Sequence, residues 1–283
     1  MYTRQGHSPT VTFPRIVGIE LVGTIIGYPP GKSPESNDLP VGTMIATCMG
    51  GLGRTIPGSY AEYACPSKSH VRPVPSTTLP IATIAALPEL LQTVYGSLIE
   101  GLELKKGESL LVRGATSSIG LMAMQMAKYF GARVAGTTRS VKREQLLRDN
   151  GADEVYIDNG TIADQVSEDG HFDKVLELVG ATTLKDSAKC LKPKGTVCMT
   201  GIQGGEWIMK EFYPMEMLSG RKRLTAYAGS PQDFLSMPWD DLVRAVEDGK
   251  LGISVREFKL DQIHEVHERM ESGGGGEKMV VVT

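Results

Sequence analysis

The chain is poor in cysteine and aromatics, and it has no dominant charge sign and no long apolar run. Four cysteines (Cys48, Cys65, Cys190, Cys198) are scattered over 283 residues without a CxxC pair. That spacing argues against a disulfide framework or a four-cysteine zinc lobe and predicts reduced thiols in a cytoplasmic protein. Lysine plus arginine against aspartate plus glutamate gives 30 − 33 = −3, with no basic block. Such a balance leaves no electrostatic footprint for nucleic acid. No uninterrupted apolar stretch reaches the ~18 residues of a membrane span, and the N-terminal MYTRQGHSPTVTFPRIVG has no apolar presequence core. What is present is a hydrophobic fraction of 41%, enough to fill the core of one large or two ordinary domains.

The texture changes along the chain. Residues 1–80 read as short β segments, 16–26, 41–48 and 59–65, separated by Pro/Gly/Ser loops, as in a small barrel or sandwich. A helical stretch covers 81–100. From 109 to about 230 the pattern alternates: strands at 109–115, 133–139, 154–158, 172–180 and 195–201, with helices between. That rhythm predicts an α/β fold with a parallel sheet covered by helices on both faces. A helix across 231–248, the strand EFKL, a helix near 261–271 and the strand KMVVVT follow, and they are expected to return to the first domain. The expected division is 1–90 with 230–283, and 91–229.

The segment SLLVRGATSSIGLMAMQMAKYFG carries the most information. A buried strand feeds a tight turn and a helix whose apolar positions Ile119, Met122, Ala123, Met126, Ala127 and Phe130 share one face. Helix N–H groups at such a turn suit a dinucleotide pyrophosphate. The glycine fingerprint is degenerate: Ala115-x-Ser117-x-x-Gly120 replaces G-x-G-x-x-G. Gly120 keeps the role of close helix–strand packing, and Ser117 is a small hydroxyl where backbone must approach phosphate. Alone, the turn also fits any α/β protein. About 20 residues on, where NAD-binding domains place a carboxylate for the ribose 2′-hydroxyl, the strand ends in Thr138-Arg139-Ser140, followed by Lys142 and Arg143. Cations and hydroxyls there suit a 2′-phosphate, which favours NADPH, although Lys142 and Arg143 also read as solvated helix residues.

With FPRIVGIELVGTI, GSYAEYACPS, LPELLQTVYGSL, LLVRGATSSIGLMAMQMAKYFGARV, GADEVYID, FDKVLELVG and ESGGGGEKMVVVT in this order, the chain resembles the zinc-independent branch of the medium-chain dehydrogenase/reductases, the quinone oxidoreductase-like proteins. The resemblance implies a Rossmann domain plus a chaperonin-10-like β-barrel domain. Set against that family the chain is expected to be short at its front, which predicts a partial barrel with open sheet edges. Family members that use zinc carry Gly-His-Glu where this chain reads Gly18-Ile19-Glu20, and isoleucine cannot coordinate a metal. His264-x-x-His267, with no third ligand nearby, reads as a solvated or capping pair, so no metal is expected.

Without a Lewis acid the substrate must already be electrophilic. The resemblance implies hydride transfer from NADPH to quinones or α,β-unsaturated carbonyls, that is, small electrophilic carbonyl substrates. It implies Tyr2 as the hydrogen-bond donor to the developing oxyanion, although Tyr2 also reads as a disordered terminal residue. Gln92 and Thr93 match helix residues facing the nicotinamide. Ala115, Thr116, Ser117, Ser118, Ile119 and Gly120 form the phosphate turn, and Thr138, Arg139, Ser140 and Arg143 the 2′-phosphate contacts. Val179, Gly180, Thr200, Gly201 and Ile202 end parallel strands, where ligands of open α/β sheets bind. Trp207 and Tyr213 read either as lining the substrate mouth or, more simply, as packing residues. Asp158 stands near the position of a tyrosine that some relatives place against the 2′-phosphate, and a carboxylate turned inward there would oppose NADPH. A homodimer through paired edge strands also fits the family. The competing reading is a non-catalytic NADPH-binding protein that retains the Rossmann scaffold.

Overall fold

The computed structural model describes residues 3–8, 10–29, 39–167, 171–273 and 276–283. It divides into two compact units: residues 1–92, 229–248 and 253–283, and residues 93–228 with 249–252. Among the described residues no helix is long and apolar enough to cross a membrane.

The first unit opens with strands β1 (Glu20–Thr24), β2 (Met44–Cys48) and β3 (Arg72–Pro73), joined as an antiparallel three-stranded sheet. The segment 59–65, expected as a strand, is a series of bends instead. Its backbone N–H groups at Gly58, Ser59 and Tyr60 donate to the carbonyls of Ile16, Gly18 and Val17, but Tyr63 lies open to solvent, so no buried face exists to hold a ladder. Helices α1 (Ile81–Ala85) and α2 (Pro88–Tyr95) follow.

The second unit carries β4 (Ser109–Arg113), α3 (Ser118–Tyr129), β5 (Arg133–Thr138), α4 (Glu144–Asp149), β6 (Glu154–Ile157), β7 (Phe172–Glu177), α5 (Leu184–Lys189), β8 (Leu191–Met199), α6 (Pro214–Met217) and β9 (Arg223–Ala226). Its six strands are all parallel, in the order β6-β5-β4-β7-β8-β9. This is the doubly wound Rossmann order, with the direction of winding reversing between β4 and β7. All five residues of β4 are buried, as a strand covered by helices on both faces requires. On α3, Met122, Ala123, Met126 and Ala127 are buried as expected, and Leu121 and Met124 join them. The core includes Leu111, Phe172, Val175, Leu191 and Val197.

The chain then re-enters the first unit through α7 (Pro231–Ser236), α8 (Trp239–Glu247), β10 (Val255–Lys259), α9 (Ile263–Glu271) and β11 (Lys278–Val282), with β10 and β11 parallel. The expected helix 231–248 is split because Met237-Pro238 interrupts it. Arg72 of β3 donates to the carbonyls of Phe234, Leu235 and Met237 (3.0–3.3 Å), satisfying groups that the end of α7 leaves without helical partners. The described β-structure of this unit is therefore one three-stranded and one two-stranded sheet.

A second charge cluster closes this unit. Lys278, the first residue of β11, lies 2.8 Å from Glu20 and 3.1 Å from Glu89, and the Glu20 carboxylate accepts the Glu89 backbone N–H at the start of α2 (2.9 Å).

Candidate functional site

The carboxyl edge of the six-stranded sheet gathers four strand ends within one unit. At the end of β4 the chain turns through Gly114, whose N–H donates to the Thr137 hydroxyl of β5 (3.1 Å). Ser117 caps α3: its hydroxyl donates to the Gly114 carbonyl and accepts the Gly120 N–H, each at 3.1 Å. This satisfies one of the orphan donors of the helix. The N–H groups of Ser118 and Ile119, the first two of α3, have no intrahelical acceptor by helix geometry and stand at the positive end of a twelve-residue helix. A Cβ on Gly120 would sit 2.6 Å from the Ala115 Cα, so only glycine lets the helix approach the turn this closely.

At the end of β5 the Thr138 hydroxyl closes a local turn, donating to the Ser140 carbonyl and accepting its N–H (3.2 Å each). Arg139 and Lys142 are exposed and Arg143 half-buried. Among the described residues, none of these three side chains makes a hydrogen bond or ion pair. Three cations therefore stand at one strand end without an ion-pair partner among the described residues.

Beneath this edge lies a buried ionic network. Arg113, the last residue of β4, is fully buried and donates to Asp158 through both Nε and Nη2 (2.9 Å each). Its Nη1 donates to Asp186 (2.6 Å), the Ser187 hydroxyl and the Thr183 carbonyl, and Nη2 also reaches the Gly160 carbonyl (3.0 Å). Burial by itself would raise the Asp158 pKa, but the bonds from Arg113 and the Gly160 N–H outweigh it and hold the carboxyl below its usual range. Glu177, the last residue of β7, is equally buried. One of its oxygens accepts the N–H groups of Val179 (2.7 Å) and Gly180 (3.0 Å), and the other accepts the Ser187 hydroxyl. Burial pushes the Glu177 carboxyl up despite these bonds.

The ends of β7 and β8 are stitched together. The N–H groups of Thr200 and Gly201 donate to the Glu177 carbonyl (3.0 and 3.1 Å). A Cβ on Gly201 would come within 2.4 Å of the Leu178 carbonyl oxygen. The Thr200 hydroxyl lies 2.9 Å from that of Ser97, which donates to the Thr93 carbonyl (2.6 Å).

Residues 118–244 match the family model described as zinc-binding dehydrogenase. The quinone oxidoreductase of Pongo abelii is 29% identical over 240 residues, covering 81% of this chain and 70% of the relative. The acryloyl-coenzyme A reductase of Sulfurisphaera tokodaii is 29% identical over 215 residues, covering 70% of this chain and 63% of the relative. The crystal structure of the Escherichia coli quinone oxidoreductase complexed with NADPH aligns with a TM-score of 0.84, covering 100% of this chain and 86% of that one. At 21% identity that likeness speaks for the fold alone. By these matches the chain is similar to the medium-chain dehydrogenase/reductases.

In this chain, Ala115–Gly120, Thr138–Ser140 with Arg143, Val179–Gly180 and Thr200–Ile202 all lie at the carboxyl edge of one sheet. Thr93 joins them through Ser97. Gln92 belongs to the other unit, where it is buried and its amide donates to the Ser230 carbonyl (2.6 Å). Tyr2 lies outside the described residues. Ser117 differs from expectation in its use: its hydroxyl proton is committed to the turn and its acceptor to the helix. Trp207 (43% exposed) and Tyr213 (64%) are not the packing residues of the simpler reading, because the segment after β8 runs over the surface. Of the histidines expected to be solvated or capping, His264 is exposed beside Glu268, whereas His267 is buried against Tyr60. Among the described residues no group of three or more His, Cys, Asp or Glu side chains is arranged to hold a metal ion. Arg113, Glu177 and Ser97 are the residues that sequence reasoning missed. The signal for Arg113 was a charge ending a strand with no other charged residue.

Proposed function

We propose that this chain is an NADPH-dependent oxidoreductase that reduces quinones or α,β-unsaturated carbonyls without a metal. The observation that carries the reading is the set of unpaired cations Arg139, Lys142 and Arg143 at the end of β5, beside a helix start with open amides. An anionic dinucleotide with a 2′-phosphate fits this edge. The Ser118 and Ile119 amides would hold its pyrophosphate, and the three cations its 2′-phosphate. Gly180 and Gly201 keep the β7 and β8 ends free of side chains for the rest of it.

Bound NADPH supplies a hydride equivalent to the electrophilic carbon of the acceptor. The protein's share is to bind and orient. Glu177 fixes the Val179-Gly180 turn through two backbone bonds, and Ser97 fixes Thr200 at the next strand end. Ile19 stands where zinc-using relatives carry histidine, which restricts the substrate to carbonyl compounds that need no Lewis acid. Tyr2 is the proposed donor to the carbonyl oxygen as charge develops on it. The quinone oxidoreductase and acryloyl-coenzyme A reductase names of the relatives support both acceptor classes.

The test is a titration with NADPH and NADH, followed by scanning quinones and enones for loss of reduced-nicotinamide absorbance. NADPH is expected to bind more tightly and to be consumed with at least one acceptor. Replacing Arg139 by alanine should weaken NADPH about tenfold and leave NADH nearly unchanged. Tight NADPH binding with no turnover on any acceptor would leave a binding protein instead of an enzyme.

A further inference from the structure

Asp158 is the carboxylate that could spoil the proposed cofactor choice, and the structure accounts for each of its oxygens. It directly follows β6, its N–H donates to the Thr138 carbonyl (2.8 Å), and Thr138 immediately precedes Arg139. A free carboxylate at this place would face the same strand end as the three cations and would repel a 2′-phosphate. Instead Oδ1 accepts from Arg113 Nη2 and from the Gly160 N–H (both 2.9 Å), and Oδ2 accepts from Arg113 Nε (2.9 Å) with the Thr137 hydroxyl at 3.5 Å. The bidentate fork holds the carboxylate plane against a fully buried guanidinium. Arg113 also binds Asp186, whose Oδ2 accepts the Ile162 N–H (2.8 Å) just after the Asp158 turn. The turn that carries Asp158 is thereby pinned on both sides.

We propose that Arg113 is a positioning residue for cofactor choice: by gripping Asp158 from the interior it turns the carboxylate bonded to the end of β5 away from the 2′-phosphate, so that Arg139, Lys142 and Arg143 act unopposed by it. This rests on the NADPH reading of the same edge. It assigns selectivity to a residue that has no access to solvent and so does not touch the ligand.

The experiment is to measure dissociation constants for NADPH and NADH by fluorescence titration, with no acceptor present. Four proteins are compared: wild type, Asp158→Asn, Arg113→Met and the double variant. Wild type should prefer NADPH, and Asp158→Asn should keep that NADPH-to-NADH ratio within about twofold, because the carboxylate is already engaged. Arg113→Met should lower the ratio about tenfold, the size of one uncompensated charge near a surface phosphate, and adding Asp158→Asn should restore it. A purely structural role would weaken both cofactors alike and leave the ratio unmoved. Arg113→Lys, which can grip one carboxylate at a time, serves if the methionine variant fails to fold, with a partial loss that Asp158→Asn again restores. A wild type indifferent to the 2′-phosphate overturns the NADPH reading and this assignment together. A selective wild type whose ratio survives loss of Arg113, or rises sharply in Asp158→Asn alone, overturns the assignment only.

Discussion

Each unit of the molecule places one cation between two carboxylates, and the two solutions differ. In the first unit the ammonium of Lys278 sits between Glu20 and Glu89, and all three side chains keep some solvent access (16–24%). In the second, Arg113 has none, and it spends its planar fork on Asp158 and Asp186 and on backbone carbonyls besides. A compact ammonium neutralises charge without fixing direction, whereas a guanidinium fork fixes the plane of what it binds. The lysine cluster accordingly joins three elements, β1, α2 and β11. The arginine network instead sets the orientation of turns at the sheet edge. The carboxylates respond in opposite senses: burial pushes Glu20 up and Lys278 offsets only part of it, while Asp158 is held down.

The largest break of this comparison should come from Arg113→Met, which removes a fully buried cation from two largely buried carboxylates (8% and 15% exposed). Urea unfolding is expected to show a loss of about 3–5 kcal/mol. Lys278→Met should cost less, about 2 kcal/mol, since partial exposure lets water replace the ammonium. Equal losses would erase the distinction between the two clusters.

The pH dependence sharpens it further. A depressed Asp158 contributes stability above the ordinary aspartate pKa of about 3.9 that is lost as pH falls through its lower folded value. The penalty of Asp158→Asn should therefore grow as pH rises from about 3 to 5. For Glu20, raised in the folded state, the contribution is complete below the ordinary value of about 4.3 and is lost as pH rises through the folded one. The penalty of Glu20→Gln should shrink with rising pH. Two slopes of the same sign, read from stability curves at several pH values, would contradict the contrast. The smallest effect is local: Ser117→Ala should cost about 1 kcal/mol through the lost cap on α3, visible as a small shift in thermal midpoint.

Periodicity made the second unit legible in the sequence. β4, α3 and β5 follow the alternation because burial on both faces leaves continuous apolar strands and a helix with an apolar stripe. The expected strand at 59–65 failed for the complementary reason: Glu62 to Cys65 lie open to solvent, and no sheet partner covers them. At the site, the Arg139–Arg143 cations could be read locally, since they follow one strand end. The Arg113 network could not, because its partners lie 45 and 73 residues away and an arginine ending an apolar strand looks like an ordinary exit to solvent. Ser117 shows a subtler limit: residue type placed it in the phosphate turn, but only geometry reveals that its hydroxyl serves the helix.

Lys278 has one more consequence, which concerns time. It meets Glu89 across 189 residues of chain, and every residue of the parallel sheet is synthesised in between. Glu20 and Glu89 must therefore emerge as a pair of like charges and wait, hydrated, while the second unit can already collapse around its nearer contacts. Glu20 and Glu89 therefore gain their shared counter-charge only once β11 has been synthesised.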